Sequence, residues 1–263
     1  MDLGLRGKTA LVAAASRGLG RAIAEALAAE GASIVICARG ADALEEARDA
    51  IAERTGVEVD AVAADVSSDE GIMRVWQHAR DRLGHVDILV TNAGGPPSGP
   101  FESHDWDVWQ RSVELTLRSA VELTRLVLPG MKERHWGRIL HVTSIAVKQP
   151  VDGLMLSNSI RAAVTGFART LANEVARYGV TVNSILPGYT RTERVQELNA
   201  ATAAREGITV DDVSRRIEAQ IPMRRLGEPP EFAALAAFLA SEQAAYITGQ
   251  SIAVDGGWIR SLL

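Results

Sequence analysis

Thr9-Ala10-Leu11-Val12-Ala13-Ala14-Ala15-Ser16-Arg17-Gly18-Leu19-Gly20 joins a continuous apolar run to the start of a helical pattern through a turn of small residues. The run Thr9–Ala14 shows no alternation of polarity, as expected of a parallel strand covered on both faces. Ala22–Ala29, just downstream, carries helical spacing. Small residues in such a turn let the backbone approach a pyrophosphate, and the helix start offers free N–H groups and the positive end of its dipole. A helix start packed closely on a strand needs the same small residues, so the turn alone leaves both readings open.

Six further runs of the same kind follow at Ser33–Ala38, Val57–Ala64, Asp87–Asn92, Arg138–Thr143, Val180–Leu186 and Gln250–Val254. Leu44–Ile51 is helical in spacing, and Ser67-Ser68-Asp69-Glu70 predicts a capping box that starts a third helix. Strand–helix alternation predicts a single α/β domain over residues 1–263, a Rossmann-type doubly wound sheet of seven mostly parallel strands with helices on both faces. Ligands of such sheets sit beyond the carboxyl ends of the strands, so function is sought in the residues just after each run.

Composition narrows the field. A net charge of −5 argues against a nucleic-acid partner, whose phosphates demand clustered Lys and Arg. The one cysteine, Cys37, lies inside an apolar run and reads as a core thiol, which fits a reducing, cytoplasmic compartment. No targeting or membrane-spanning segment is expected, since even Ala233–Ala240 is far short of the roughly 20 apolar residues that cross a bilayer. No metal site is expected.

Residues after the strands carry a recurring set of turns. Gly18 and Gly20 follow the first, Asp65-Val66 the third, Asn92-Ala93-Gly94 the fourth, and Pro187-Gly188 with Thr190 and Thr192 the sixth, which also contains Asn183. Ile221-Pro222, Arg225-Leu226-Gly227-Glu228-Pro229, Ile247-Thr248-Gly249-Gln250 and Asp255-Gly256-Gly257 complete the series. In this order, from about Leu5 to Trp258, they resemble the short-chain dehydrogenase/reductase family, nearest its β-ketoacyl-ACP reductase branch. The resemblance implies cofactor contacts from Ala14, Ser16, Arg17, Gly18, Leu19 and Gly20, from Asp65 and Val66 at the adenine, and from Asn92, Ala93 and Gly94. It further implies contacts from Pro187, Gly188, Thr190 and Thr192 on the nicotinamide side. Taken singly, Asp65 reads equally as a cap, Asn92 as a turn residue and Asp255-Gly256-Gly257 as a structural turn. Gly94-Gly95-Pro96-Pro97-Ser98-Gly99-Pro100 is either a rigid connector or part of the substrate mouth. One departure stands out: the family's Thr-Gly opening is Ala13-Ala14 here, and alanine resists the positive φ that glycine permits.

NADP(H) is expected over NAD(H). NAD enzymes of this fold place an acidic residue after the second strand, whereas this chain has Arg39 there and Arg17 in the glycine turn. Two guanidinium groups suit a 2′-phosphate, the alternative being two solvated surface arginines.

The family's catalytic set is Asn, Ser, Tyr and Lys. The resemblance implies that Tyr exchanges the proton, Lys lowers its pKa, Ser orients the carbonyl and Asn anchors a water-linked relay. Only Ser144 survives. Counting back from Ala162-Ala163-Val164-Thr165-Gly166-Phe167 puts Arg161 at the Lys position and Ser157 at the Tyr position, and Thr116 stands at the Asn position. Arg161 keeps a cation suited to ribose hydroxyls but cannot titrate in a relay, and it also falls on a polar stripe with Thr165, Arg169, Asn173 and Arg177. Ser157 reads as a helix cap. Tyr189 is the one tyrosine near the expected cofactor, Tyr178 reads as packing, Lys148 as a solvated loop residue and His141 as a core or interface histidine. The chain thus resembles a subgroup with an imperfect glycine motif and an incomplete tetrad.

Two functions follow. One is an NADP-linked oxidoreductase acting on a small-molecule carbonyl or secondary alcohol, with 3-oxoacyl thioesters as the class the resemblance suggests. The other is a dinucleotide-binding sensor or scaffold whose hydride chemistry has lapsed. Residues 191–220 are expected to form a helical substrate flap, with Ile208, Val210, Val213 and Ile217 either lining the pocket or packing. The helices around Val113–Leu128 and Ile160–Val175, apolar on more than one face, predict a homo-oligomer, which the resemblance makes a tetramer.

Overall fold

Residues 1–262 are described by a computed structural model of the chain. Seven parallel strands form one sheet: β1 (Thr9–Ala13), β2 (Ser33–Ala38), β3 (Val59–Ala63), β4 (Ile88–Thr91), β5 (Gly137–Val142), β6 (Val180–Pro187) and β7 (Ser251–Val254). Their order across the sheet is β3-β2-β1-β4-β5-β6-β7, and every pairing is parallel.

The unbroken apolar runs have a direct cause. In β1, Ala10 and Val12 enter one buried layer, while Leu11 and Ala13 enter the other. The first layer receives the helices α1 (Gly18–Ala29), α2 (Ala41–Thr55) and α9 (Pro229–Ala240); the second receives α3 (Asp69–Leu83), α5 (Ser119–Glu133) and α6 (Met155–Val175). Each fully buried Leu, Ile or Val contributes about 1.5–3 kcal/mol relative to exposure, so a strand apolar on both faces is held from both sides. Cys37 is fully buried in the second layer, and burial pushes its thiol pKa up to about 12.

Two details differ from the sequence expectation. The cap of α3 is Ser68, whose side chain accepts from the Gly71 N–H at 3.1 Å, and no reciprocal box forms because Gly71 has no side chain to return the bond. Glycine is required there, since a Cβ would lie 1.9 Å from the Asp65 carbonyl oxygen. Reciprocal boxes occur instead at Thr209/Asp212 and Glu228/Glu231. Second, α4 (Trp106–Val113) runs into α5 through a π-helical turn, Glu114–Arg118, that no apolar periodicity announces. Two helices cover residues 191–220: α7 (Glu193–Glu206) and α8 (Val210–Gln220). Among the described residues no helix is long and apolar enough to cross a membrane.

The chain moves outward in opposite directions from β1, toward β2 on one side and β4 on the other. The crevice at this switch, beyond the strand carboxyl ends, is where doubly wound sheets hold ligands.

Candidate active site

The turn after β1 is built on close approach. Ala14 has φ 50°, in the left-handed region that favours glycine, so the alanine adopts the geometry its side chain resists. A Cβ on Gly20 would lie 2.3 Å from the Ala14 carbonyl oxygen and 2.9 Å from Asn92 Nδ2. Asn92 Nδ2 in turn donates to the Ala14 carbonyl at 3.4 Å, which ties the turn after β4 to the turn after β1. Arg17 occupies the N-cap position of α1 without a side-chain cap, and the first turn holds no acidic residue. Ser16 and Leu19 are half-buried beside it. Uncapped N–H groups and a positive dipole end suit a pyrophosphate, and Gly20 lets α1 pack closely on the turn, so these residues fit a dinucleotide.

Arg39 follows β2 and, like Arg17, is exposed; among the described residues neither guanidinium donates a hydrogen bond. Asp65 Oδ1 accepts from both the N–H and the Oγ of Ser67, at 2.9 and 2.8 Å. Partial burial works against its charge, but the Ser67 bonds and the Arg39 charge prevail and lower its pKa. Val66 is buried beside it, Ala93 is half-buried and Gly94 is exposed. After β6, Gly188 is pressed against Asp255, where a Cβ would lie 2.6 Å from the Asp255 Cα. Thr190 is buried, and Thr192 caps α7 by accepting from the Val195 N–H. Thr192 also lies against Gly18, so the first and last cofactor-side loops meet. A cavity of about 340 Å³ opens at that junction, between α1, Arg191–Glu193 and Pro229-Pro230. Asn183 is structural: its amide spans from the Ile247 carbonyl to the Gln250 N–H. Asp255 likewise ties its own turn, accepting from Gly257 and Ile259.

Of the four tetrad positions, Ser144 follows β5, Ser157 and Arg161 lie on α6, and Thr116 lies on the turn that packs against α6. Ser144 Oγ accepts from the Ala146 N–H at 3.1 Å, which leaves its own proton free to donate outward. Thr116 lies in the π-helical turn, a distortion frequent at functional sites, and its Oγ1 is buried with no hydrogen-bond partner among the described residues. Ser157 is not a cap: it is the third residue of α6, it is buried, and the N-cap position is Leu154. Arg161 is 8% exposed, and its Nη1 donates to the carbonyls of Val142 and Thr143, both at 2.9 Å. Its stripe partners Arg169, Asn173 and Arg177 are exposed, so Arg161 is the buried end of that row. Burial, with the Arg194 charge, pushes its pKa down to about 10, and it stays a cation at neutral pH.

No tyrosine stands in the sequence between Ser144 and the end of α6. The Tyr189 ring packs edge-on against Trp258 at 5.9 Å, and burial, reinforced by the Asp152 charge, raises its pKa. Tyr178 is held between Lys132 and Arg177, Tyr246 is fully exposed and Lys148 is exposed. His141 is a core residue whose Nδ1 pairs with Thr91 Oγ1 at 2.7 Å.

Arg194 enters the site unannounced. From α7 its Nη2 donates to the Pro96 carbonyl at 2.8 Å, and its guanidinium lies flat on Gly95. The post-β4 run is thereby tied to α7; it is also pinned to the segment before α6 through the Gly99 N–H and the Gly153 carbonyl. Arg194 stands two residues past Thr192, and the search after strand ends that found Thr192 would have found it too. Of the expected flap lining, Val213 is buried and Ile217 packs beside Ile221 and Leu226, whereas Val210 is exposed and lines nothing.

The family profile described as Enoyl-(Acyl carrier protein) reductase matches residues 13–259. A 3-oxoacyl-[acyl-carrier-protein] reductase of Vibrio cholerae is 38% identical over 255 residues, covering 97% of this chain and 98% of its own. A D-beta-hydroxybutyrate dehydrogenase of Cupriavidus necator is 39% identical over 264 residues, covering 97% and 99%. Among solved structures, L-sorbose reductase from Gluconobacter frateurii, complexed with NADPH and L-sorbose, superposes with TM-score 0.94 at 37% identity over 100% of both chains.

Proposed function

From the premise that this chain belongs to the short-chain dehydrogenase/reductase family, we propose that it is an NADP-linked oxidoreductase interconverting a carbonyl and a secondary alcohol. The observation that carries the reading is the meeting of three loops at the switch crevice: Gly20 beneath Asn92, Gly18 against Thr192, and Ser144 with Arg161 at the β5 end. Bound NADPH would supply the hydride to the carbonyl carbon. Ala14, Ser16, Gly18, Leu19 and Gly20 would seat its pyrophosphate, Asp65 and Val66 its adenine, and Arg17 and Arg39 its 2′-phosphate. Asn92, Ala93, Gly94, Pro187, Gly188, Thr190 and Thr192 would hold the nicotinamide half.

Ser144, with its proton free, would donate to the carbonyl oxygen, and Arg161 would stabilise negative charge as it develops there. The proton itself comes from solvent water, because Ser157 is far less acidic than a phenol. Acid–base groups of this kind contribute about 10²–10⁴-fold, while positioning supplies roughly 7–11 kcal/mol, so slow turnover survives their loss. A 3-oxoacyl-[acyl-carrier-protein], the substrate named for the Vibrio relative, is one candidate. The packing of Tyr189 on Trp258 favours a second reading, a dinucleotide-binding protein without turnover.

Calorimetric titration should give NADPH at least tenfold tighter than NADH, with Arg39→Asp reversing the preference; equal affinities would refute the cofactor assignment. Absence of NADPH-dependent reduction of acetoacetyl thioester, acetoacetate and simple ketones by protein saturated with NADPH would favour the second reading.

A further inference from the structure

We infer that Arg161 and Arg194 together seat a carboxylate of the substrate, so that the chain takes a short oxo or hydroxy acid as its free anion. The inference rests on the oxidoreductase reading for its location and names the substrate class of that site. Arg161 is buried, and among the described residues no Asp or Glu forms an ion pair with it. Only Nη1 is committed, to two backbone carbonyls, although a guanidinium carries five N–H donors. A buried charge is ordinarily paired, and a buried cation left with neutral acceptors is a site prepared for an anion.

A second cation arrives from α7. Arg194 reaches from α7 onto Gly95 and Pro96, beyond the β4 carboxyl end, beside the β5 end where Arg161 and Ser144 stand. Its Nη1 is 3.5 Å from Glu197, but both side chains of that pair are substantially exposed, at 40% and 56%, and a solvated pair of this kind is weak. The Arg194 charge reaches Arg161 and, after burial, helps to depress its pKa. Two cations this near favour an anion beside them. A planar carboxylate matches the guanidinium fork, and the Ser144 hydroxyl is placed for a carbonyl or hydroxyl on the same small molecule. A neutral thioester would leave Arg194 without an anionic partner.

The test compares acetoacetate with methyl acetoacetate by titration calorimetry, with and without saturating NADP⁺, which holds the nucleotide site without turnover. The acid is expected to bind at least tenfold tighter than the ester. Arg194→Met should abolish that preference, bringing the acid down to the affinity of the ester measured on the same variant. Arg194→Lys should keep part of it, with the thermal midpoint of each variant confirming a folded chain. Equal binding of acid and ester, or no heat from either at millimolar concentration, would overturn the proposal. So would an Arg194→Met variant that keeps the preference, or one that loses NADP⁺ affinity tenfold while keeping it, which would make Arg194 a nucleotide contact. Failure of NADP⁺ to bind would strike the oxidoreductase reading instead, and the acid-to-ester ratio measured without nucleotide would still decide this one.

Discussion

Alanine at position 14 holds a conformation that its Cβ opposes, and the surrounding turn enforces it. The left-handed region costs an L-residue about 1–2 kcal/mol, whereas glycine loses about 0.4–1 kcal/mol more unfolded-state entropy. The net favours glycine, so Ala14→Gly is expected to stabilise the protein by about 0.5–1 kcal/mol, read as a higher urea midpoint at unchanged slope. A lower midpoint would mean that the turn in solution does not keep φ near 50° at this residue. Sequence could flag Ala14 as a departure but not its φ, because the angle is imposed by Gly20 and Asn92 closing on the Ala14 carbonyl. Arg161 teaches the same lesson: its position was countable from the helix motif, but its burial and its bonds to Val142 and Thr143 depend on how α6 docks on β5.

Across β4, β5 and β6, Thr91, His141 and Ser184 stand in one row, paired by register. His141 bonds Thr91 and faces the Phe167 ring at 5.7 Å, while its Nε2 and Ser184 Oγ have no hydrogen-bond partner among the described residues. Burial pushes the imidazole pKa down to about 4, against roughly 6.5 unfolded. The unfolded chain therefore takes up this proton first. The contribution of His141 is present above about pH 6.5 and is lost as the pH falls toward 4. Between pH 7 and 5 the expected loss is about 2 kcal/mol. Urea denaturation of His141→Gln should show a flatter pH dependence across that interval, and an unchanged slope would exclude His141 as its source. Asp65, with its lowered pKa, acts only further into acid. The strands themselves were legible because each side chain in a central parallel strand is buried whichever way it points, and the observed ends differ from the apolar runs by one or two residues. The π-helical turn at Thr116 and the position of Ser157 inside α6 were not, since both are set by contacts between helices rather than by local pattern.

The outer surface of the whole molecule bears on its assembly. Helix α6 presents Ala162, Ala163, Gly166 and Thr170 to solvent, with Arg169 beside them, a face mostly of small residues rather than the broad apolar one expected from sequence. Trp106 at 74% and Phe101 at 62% exposure stand at the start of the neighbouring helical segment. Small side chains let two helices approach closely, and a face meeting its own copy about a two-fold axis brings Gly166 near its symmetry mate. We propose that α6 and the α4–α5 segment form such an interface and that the protein is a homotetramer. Light scattering at micromolar concentration should then return four times the 28.1 kDa chain mass, and a monomer mass would refute it. Gly166→Arg separates assembly from folding, because a Cβ added there meets nothing within 4 Å in the single chain. Arginine is also a better helix former than glycine, by about 1 kcal/mol, so the variant monomer should fold at least as well as wild type. A fall in mass with retained helical circular dichroism and a cooperative thermal transition would place the interface on α6. Unchanged mass would move it to another face.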